Sequence, residues 1–417
     1  MLFSDRVILA HYSLHSMNAA ALSGMICGLI QFGLVGVTAI AEVFVGQFNG
    51  AKQFKKLAHP VWQMTWFALS AFLLTIPLSL WSGPFVIQEP YYEVAQPYFR
   101  LLMATTPLLG VITAFSSFFI GQGNAKIVTC AAFVSNIVNV VLDIVLVFGY
   151  GHFPEMGLFG AALATLISQC VQLLIILAVY YNSHNRKHFF THKMMFDWRL
   201  LKDCLRIGFP SAGGHMLEIL AWTFLFYLVT QKGERYLTVI AVGQTLFHLI
   251  ALLNDGLYKG SSALVANCIG QKAWSEIRNV LKSGLLLHFS IMAVFSLLIL
   301  YPQLVINLFL TDKVSNDIKQ QMIYTLRWIW LFAGIDGISW IVGGVLTAGG
   351  DTRFIMISGG ISVWLFSIVP IYVIMAYFPD FPPHITWSVC AFYSAILLLI
   401  FSWRYRSGKW IKSIHNF

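Results

Sequence analysis

Six stretches of this chain, 19–48, 61–82, 101–120, 127–149, 157–182 and 279–310, run for twenty residues or more with almost no charge. A helix needs about 20 apolar residues to cross about 30 Å of hydrocarbon, and soluble core helices are usually shorter. The runs do not alternate in polarity, which excludes the strands of a bilayer barrel. Reading along the chain gives eleven complete spans and the end of one more. Composition agrees: 58% of the residues are hydrophobic, 10% are charged and mean hydropathy is +0.75. Soluble domains carry about 25% charged residues. The lipid bilayer is therefore the expected solvent.

A net charge of +9 raises the question of nucleic acid, but the distribution of Lys and Arg answers it. One alternating set of loops, 49–60, 121–126, 183–206, 270–282, 349–353 and the tail from 403, holds 18 of them. The opposite set, 11–18, 83–100, 150–156, 231–236, 311–327 and 379–383, holds six. The positive-inside rule puts the first set, with the C-terminus, in the cytoplasm. The expected location is the plasma (inner) membrane, multi-pass, with no nucleic-acid partner. Met1–Ala10 is too short to span and lacks the layout of a signal peptide. A first helix whose start lies upstream is expected, through truncation or a misassigned start codon.

Two motifs recur in order. Val45-Gly-Gln-Phe-Asn-Gly-Ala-Lys52 is matched by Val265-Ala-Asn-Cys-Ile-Gly-Gln-Lys272, and Gly121-Gln-Gly-Asn-Ala-Lys126 by Ala348-Gly-Gly-Asp-Thr-Arg353. Their separations are nearly equal and about half the chain, so a duplicated six-helix unit is expected. The fold class that follows is an all-α membrane protein: a twelve-helix bundle of two pseudo-symmetric six-helix lobes, with the first helix truncated. The expected boundaries are an N-terminal lobe over 1–182, a cytoplasmic linker over 183–200 and a C-terminal lobe over 201–417. Repeats of this kind set the substrate site where the halves meet.

An ionisable group at mid-bilayer costs roughly 2.5–3.5 kcal/mol on insertion scales, so each one needs a reason. Four carboxylates stand out: Asp5 in the partial first helix, Asp143 in the fifth span, Glu218 in the seventh and Asp336 in the tenth. Asn136, Asn139 and Asp143 fall on one helical face, and the next span carries a stripe of small residues, Gly157, Gly160, Ala161, Ala164 and Ser168, with Thr165 beside it. Carboxylates with amide and hydroxyl oxygens suit Na⁺ or a proton. They also suit plain interhelical hydrogen bonding. Glu218 and Asp336 each have a tryptophan one turn on, Trp222 and Trp340, and His215 lies one turn before Glu218. Acid and aromatic rings together suit lipophilic cations, though both tryptophans also fit a structural core. Asp255 and Lys259 have the spacing of an i,i+4 ion pair, and Glu42 is near enough to a span end to reach water.

Other chemistry is poorly supported. The six cysteines are scattered through apolar runs and read as small packing residues. The histidines at 11, 152, 184, 188 and 192 are mostly in loops, so no metal site beyond Na⁺ is expected. A Walker-type loop is lacking, which leaves an ion gradient as the energy source. No enzymatic motif or channel filter is evident.

Taken together, Val45-Gly-Gln47 with Gly50-Ala51, Gly157-Leu-Phe-Gly-Ala-Ala-Leu-Ala-Thr165, Arg206-Ile-Gly-Phe-Pro210 and Gly-Gly-Asp351-Thr-Arg353 resemble the multidrug and toxic compound extrusion (MATE) family. The resemblance covers Asp5 to the twelfth helix. It implies a cation-coupling site in the N-terminal lobe at Asp5, Asn139, Asp143 and Thr165. By likeness to NorM-like members it implies a cation or substrate site in the C-terminal lobe at Glu218 and Asp336, with Trp222 and Trp340 as candidate aromatic lining. The implied activity is secondary antiport, exporting organic cations or drugs against Na⁺ or H⁺ by alternating access. No cofactor, a small-molecule partner and a monomer are expected. Arg6 directly follows Asp5, yet neighbours point about 100° apart on a helix and need not pair. Thr347-Ala348 stands where the family usually has Arg-Gly. The alternative is a flippase for lipid-linked oligosaccharide or peptidoglycan precursor, which would need a basic rather than an acidic interior.

Overall fold

The apolar runs are helices in the computed structural model, which describes residues 2–87, 91–151, 153–309 and 316–411. His152, Lys313 and Lys412 lie outside the described residues. We number the principal helices α1 (Leu2–Tyr12), α2 (His15–Gly50), α3 (Phe54–Trp81), α4 (Tyr92–Gly121), α5 (Ala125–Phe148), α6 (Gly157–Tyr180), α7 (Trp198–Thr230), α8 (Arg235–Gln271), α9 (Trp274–Leu300), α10 (Asn316–Ala348), α11 (Thr352–Tyr377) and α12 (Ile385–Arg406). The eleven after α1 are long and apolar enough to cross a bilayer. No strand occurs among the described residues.

The helices run well past the expected loop boundaries. α7 begins at Trp198, inside the loop expected over 183–206, and α10 at Asn316, inside the one expected over 311–327. Hydropathy marks only the hydrocarbon-embedded part. Backbone hydrogen bonding carries the helix on into polar residues, so α10, with 33 residues, is about 50 Å long.

The chain folds as two units, one ending at Ala212 and the other beginning at Gly213. Each has the same internal plan. In the first, α4 is the central helix, packed on α2, α3 and α6, while α5 packs on α6. In the second, α10 packs on α8, α9 and α12, while α11 packs on α12. The repeated motifs also share backbone shape. Lys52 and Lys272 both take the left-handed conformation, at φ 57° and 58°, and Gly123 and Gly350 do so at φ 78° and 80°. A lysine in that region is uncommon, so its recurrence at matched positions marks a copied turn. Such a turn supplies amides that cap the helix carbonyls: Lys272 donates to Ile269 and the next residue, Ala273, to Cys268.

These turns are also packed. A Cβ on Gly121 would sit 2.7 Å from the Glu42 carbonyl oxygen, so only glycine lets α4 approach α2 there. Glu42 therefore does not reach water, contrary to expectation. It is 5% exposed, in a segment pressed against α4 and buried almost throughout. At the matched turn of the second unit, Arg404 Nε donates to Asp351 Oδ2 at 2.6 Å, and its guanidinium lies over the Phe354 ring. Asp351 is wholly buried, so this pair ties α12 to the turn before α11. Thr347, at one of the positions that departs from the family pattern, shares a 2.8 Å hydrogen bond with Tyr258 of α8. The segment after α6 is strapped to α3 by Gln63, which donates to the Met195 carbonyl and accepts from the Asp197 amide.

Replacing Arg404 with Gln strands a buried carboxylate and is expected to cost on the order of 3 kcal/mol. Replacing Arg235, whose pair with Asp317 is exposed on both sides, is expected to cost less than about 1 kcal/mol. Thermal unfolding of the two variants in detergent checks the contrast.

Candidate ion and substrate sites

In the first unit, three helices bring oxygen ligands together. Along α5, Ser135, Asn139 and Asp143 recur every four residues and all three are fully buried. Ser135 donates to the Ser168 carbonyl at 2.7 Å, which clamps α5 to α6. The small residues of α6 permit that approach: a Cβ on Gly160 would meet the Leu146 carbonyl at 2.7 Å. From α1, Asp5 is 7% exposed. It accepts from the Thr165 hydroxyl of α6 at 3.3 Å and from its neighbour Ser4 at 3.4 Å, and its carboxyl adjoins that of Asp143.

Two carboxyl groups thus meet in a buried space, and among the described residues Asp143 has no neighbour to bond but the Asp5 carboxyl, while neither Asn139 amide atom has a hydrogen-bond partner. Buried polar atoms are nearly always satisfied. Two carboxyls, an amide and a hydroxyl are oxygen groups of the kind that hard cations take, and a proton shared between the carboxyls would meet the same need. Asn136 does not join them. It is exposed and donates back to the Ala132 carbonyl. The face that matters steps by four residues through Ser135, whereas the expected set placed Asn136 on it. Ser135 carried no sequence signal apart from its spacing.

The second unit holds a different arrangement. Glu218 of α7 is partly buried, and Asp336 of α10 is 3% exposed. They are close enough for their charges to interact. Trp222 donates to Glu218 at 3.5 Å, and Trp340 lies beside Asp336. The Ser394 hydroxyl of α12 reaches Asp336 at 3.4 Å. Around Trp222 stand Phe247, Phe332 and Tyr393, with ring centroids at 6.1, 5.6 and 5.9 Å. Trp340 faces His215 at 6.0 Å and Tyr258 at 5.9 Å. The result is an acid pair, Asp336 buried and Glu218 partly so, walled by aromatic rings. Sequence reasoning found the two acids and the two tryptophans but missed Ser394, Tyr393 and Phe332, because they occupy apolar runs where nothing marks their direction.

None of the three ion pairs among the described residues involves Asp5, Asp143, Glu218 or Asp336. Among the described residues, no Lys or Arg pairs with these four acids. The backbone beside Asp336 is tightly seated: His288 Nε2 donates to the Gly334 carbonyl, and a Cβ on Gly337 would overlap the His288 ring and crowd Asn254.

A protein-family model, MatE, matches residues 1–145 and 210–373. The chain belongs to the MatE family. Among curated relatives, the probable multidrug resistance protein NorM of Thermotoga maritima is 24% identical over 91% of this chain and 82% of its own. The probable multidrug resistance protein YoeA of Bacillus subtilis is 24% identical over 90% of this chain and 82% of its own. A multidrug resistance MATE family transporter solved in an outward-facing conformation superposes with a TM-score of 0.85, at 19% identity, over 98% of this chain and 91% of that one. This MatE chain is therefore a multi-pass helical membrane transporter of the MATE fold.

Gly337→Ala is expected to overpack the α9–α10 contact, costing about 1–3 kcal/mol, and to displace Asp336. Gly260→Ala, in open space on α8, should be neutral or stabilising by less than about 1 kcal/mol. Melting temperatures of the two variants test this directly.

Proposed function

We propose that this transporter exports lipophilic organic cations or drugs from the cytoplasm in exchange for Na⁺ or H⁺, by alternating access. The observation that carries the reading is the meeting of Asp5 and Asp143 beside an Asn139 amide that has no hydrogen-bond partner among the described residues. A buried arrangement of that kind is costly unless a cation occupies it, and a cation that arrives and leaves is a coupling ion. The relatives named as multidrug resistance proteins support the direction and class of cargo.

In this mechanism the first unit's acids take Na⁺ or H⁺ down its gradient. The second unit's Glu218 and Asp336 hold the organic cation, with Trp222 and Trp340 against its apolar surface. Charge attraction supplies affinity and the rings supply tolerance, since cation–π contacts ask for little shape matching. The affinities must differ between the outward- and inward-open forms, because a ligand shifts a conformational equilibrium only through differential binding. The excess of Lys and Arg in one set of loops supports a plasma-membrane protein with a cytoplasmic C-terminus.

Expression in an efflux-deficient bacterium should lower ethidium accumulation in a manner that depends on the Na⁺ or pH gradient. Asp143→Asn and Glu218→Gln should each abolish that effect while the protein stays in the membrane. Undiminished export by both variants would remove the acids from the mechanism.

A further inference from the structure

α8 carries two faces of opposite character. Asn254, Leu257, Ser261 and Val265 are buried against the unit. The other face presents Thr245, His248, Leu252, Asp255 and Lys259, which are exposed or half-exposed and share one helical stripe. Asp255 and Lys259 form the expected ion pair, Nζ to Oδ2 at 2.6 Å, with each side chain 42% exposed. Beside the pair, Gly256 and Gly260 have no described residue within 4 Å of where a Cβ would stand, so the helix backbone itself is open to approach. The stripe stops at Ala263 and Ala266, which are buried.

The pair sits deep. Lys259 lies twelve residues, about 18 Å of helix, before Gln271. A lysine facing lipid at that depth extends toward the nearer membrane surface, but this ammonium turns the other way, to Asp255 one turn nearer the middle of α8. The stripe also carries a histidine and a threonine, with Leu252 well exposed and Leu249 and Leu253 beside it. Near its middle, α9 presents Leu286, Leu287, Phe289 and Ser290 outward and no charged side chain. Charges left half-exposed in hydrocarbon cost several kcal/mol, and charged groups in spans, paired or not, face the bundle interior or a water-filled cavity. Two adjacent opposite charges in a wet channel can exchange partners with a solute that carries both signs. A carboxylate takes Lys259 and an ammonium takes Asp255, so no charge is left unpaired. A simple cation that drew Asp255 away would strand the lysine.

We propose that the Asp255–Lys259 stripe of α8 lines the aqueous transport path and is a recognition subsite for zwitterionic substrates bearing a carboxylate and an ammonium. This rests on the exporter reading, and the test separates the two.

Aqueous exposure is measured first, without transport. With the native cysteines changed to Ser, Gly260→Cys should react with a membrane-impermeant charged thiol reagent, and Leu286→Cys should not. Transport is then compared for ciprofloxacin, a zwitterion at neutral pH, and for ethidium, a monocation. Lys259→Gln should lower ciprofloxacin export about tenfold, roughly the effect of 1.4 kcal/mol, and leave ethidium export within about twofold. Lys259→Arg should restore most ciprofloxacin export, which a folding defect would not allow. No labelling at Gly260→Cys, equal loss of both substrates in Lys259→Gln, or unchanged export of both overturns the proposal. If the unmodified protein exports ethidium but not ciprofloxacin, the subsite fails and the exporter reading stands. If it exports neither, the exporter reading fails and takes the subsite's substrate role with it, while labelling still decides whether the stripe meets water.

Discussion

A carboxyl group removed from water must find a compensating charge or proton, and in a bilayer the penalty for failing is larger than any single packing contact returns. The transporter concentrates that demand in two places. Asp5 and Asp143 meet among fully buried residues of α5 and small residues of α6, and Glu218 and Asp336 are set among tryptophans. The rest of the architecture holds these groups where they would not otherwise stay. The Ser135–Ser168 bond and Gly160 hold α5 close to α6, and the Thr165 hydroxyl of α6 reaches Asp5 of α1. His288 and the bare α-carbon of Gly337 fix the backbone beside Asp336.

The two arrangements differ chemically although their scaffolds repeat. The first offers oxygen ligands and few aromatic rings, which fits a small bare cation. The second offers two acids within walls of Trp, Tyr and Phe, which fits a large, greasy one. Under the proposed exchange, each cargo would have its own ligands in one copy of the duplicated scaffold.

Much of this was legible in the sequence, for identifiable reasons. Helix number followed from charge-free length, since the bilayer enforces a minimum span. The repeat was legible because its turns need unusual backbone shapes, and Lys52 and Lys272 share one. The four acids were legible because a membrane interior makes charge conspicuous. What sequence did not reveal was direction at fine scale. Asn136 and Ser135 are adjacent, and only the packing of α5 on α6 decides that Ser135 turns inward. Glu42 stands close to a helix end, yet α4 covers it. Ser394 reaches Asp336 from a helix that also carries Thr386, Ser388 and Ser402, and nothing in the sequence sets it apart from them. Helix ends were misplaced because hydropathy senses lipid contact and not hydrogen bonding.

The central claim is that these acids are retained to hold a cation that must be exchangeable. The most direct measurement is cation displacement in the purified protein: radioactive Na⁺ bound at equilibrium, and protons followed by an indicator dye in weak buffer, while ethidium is added. The account predicts that ethidium binding expels one of the two cations in the unmodified protein, and that Asp143→Asn removes the expulsion. Ethidium binding that displaces neither Na⁺ nor H⁺ would contradict it.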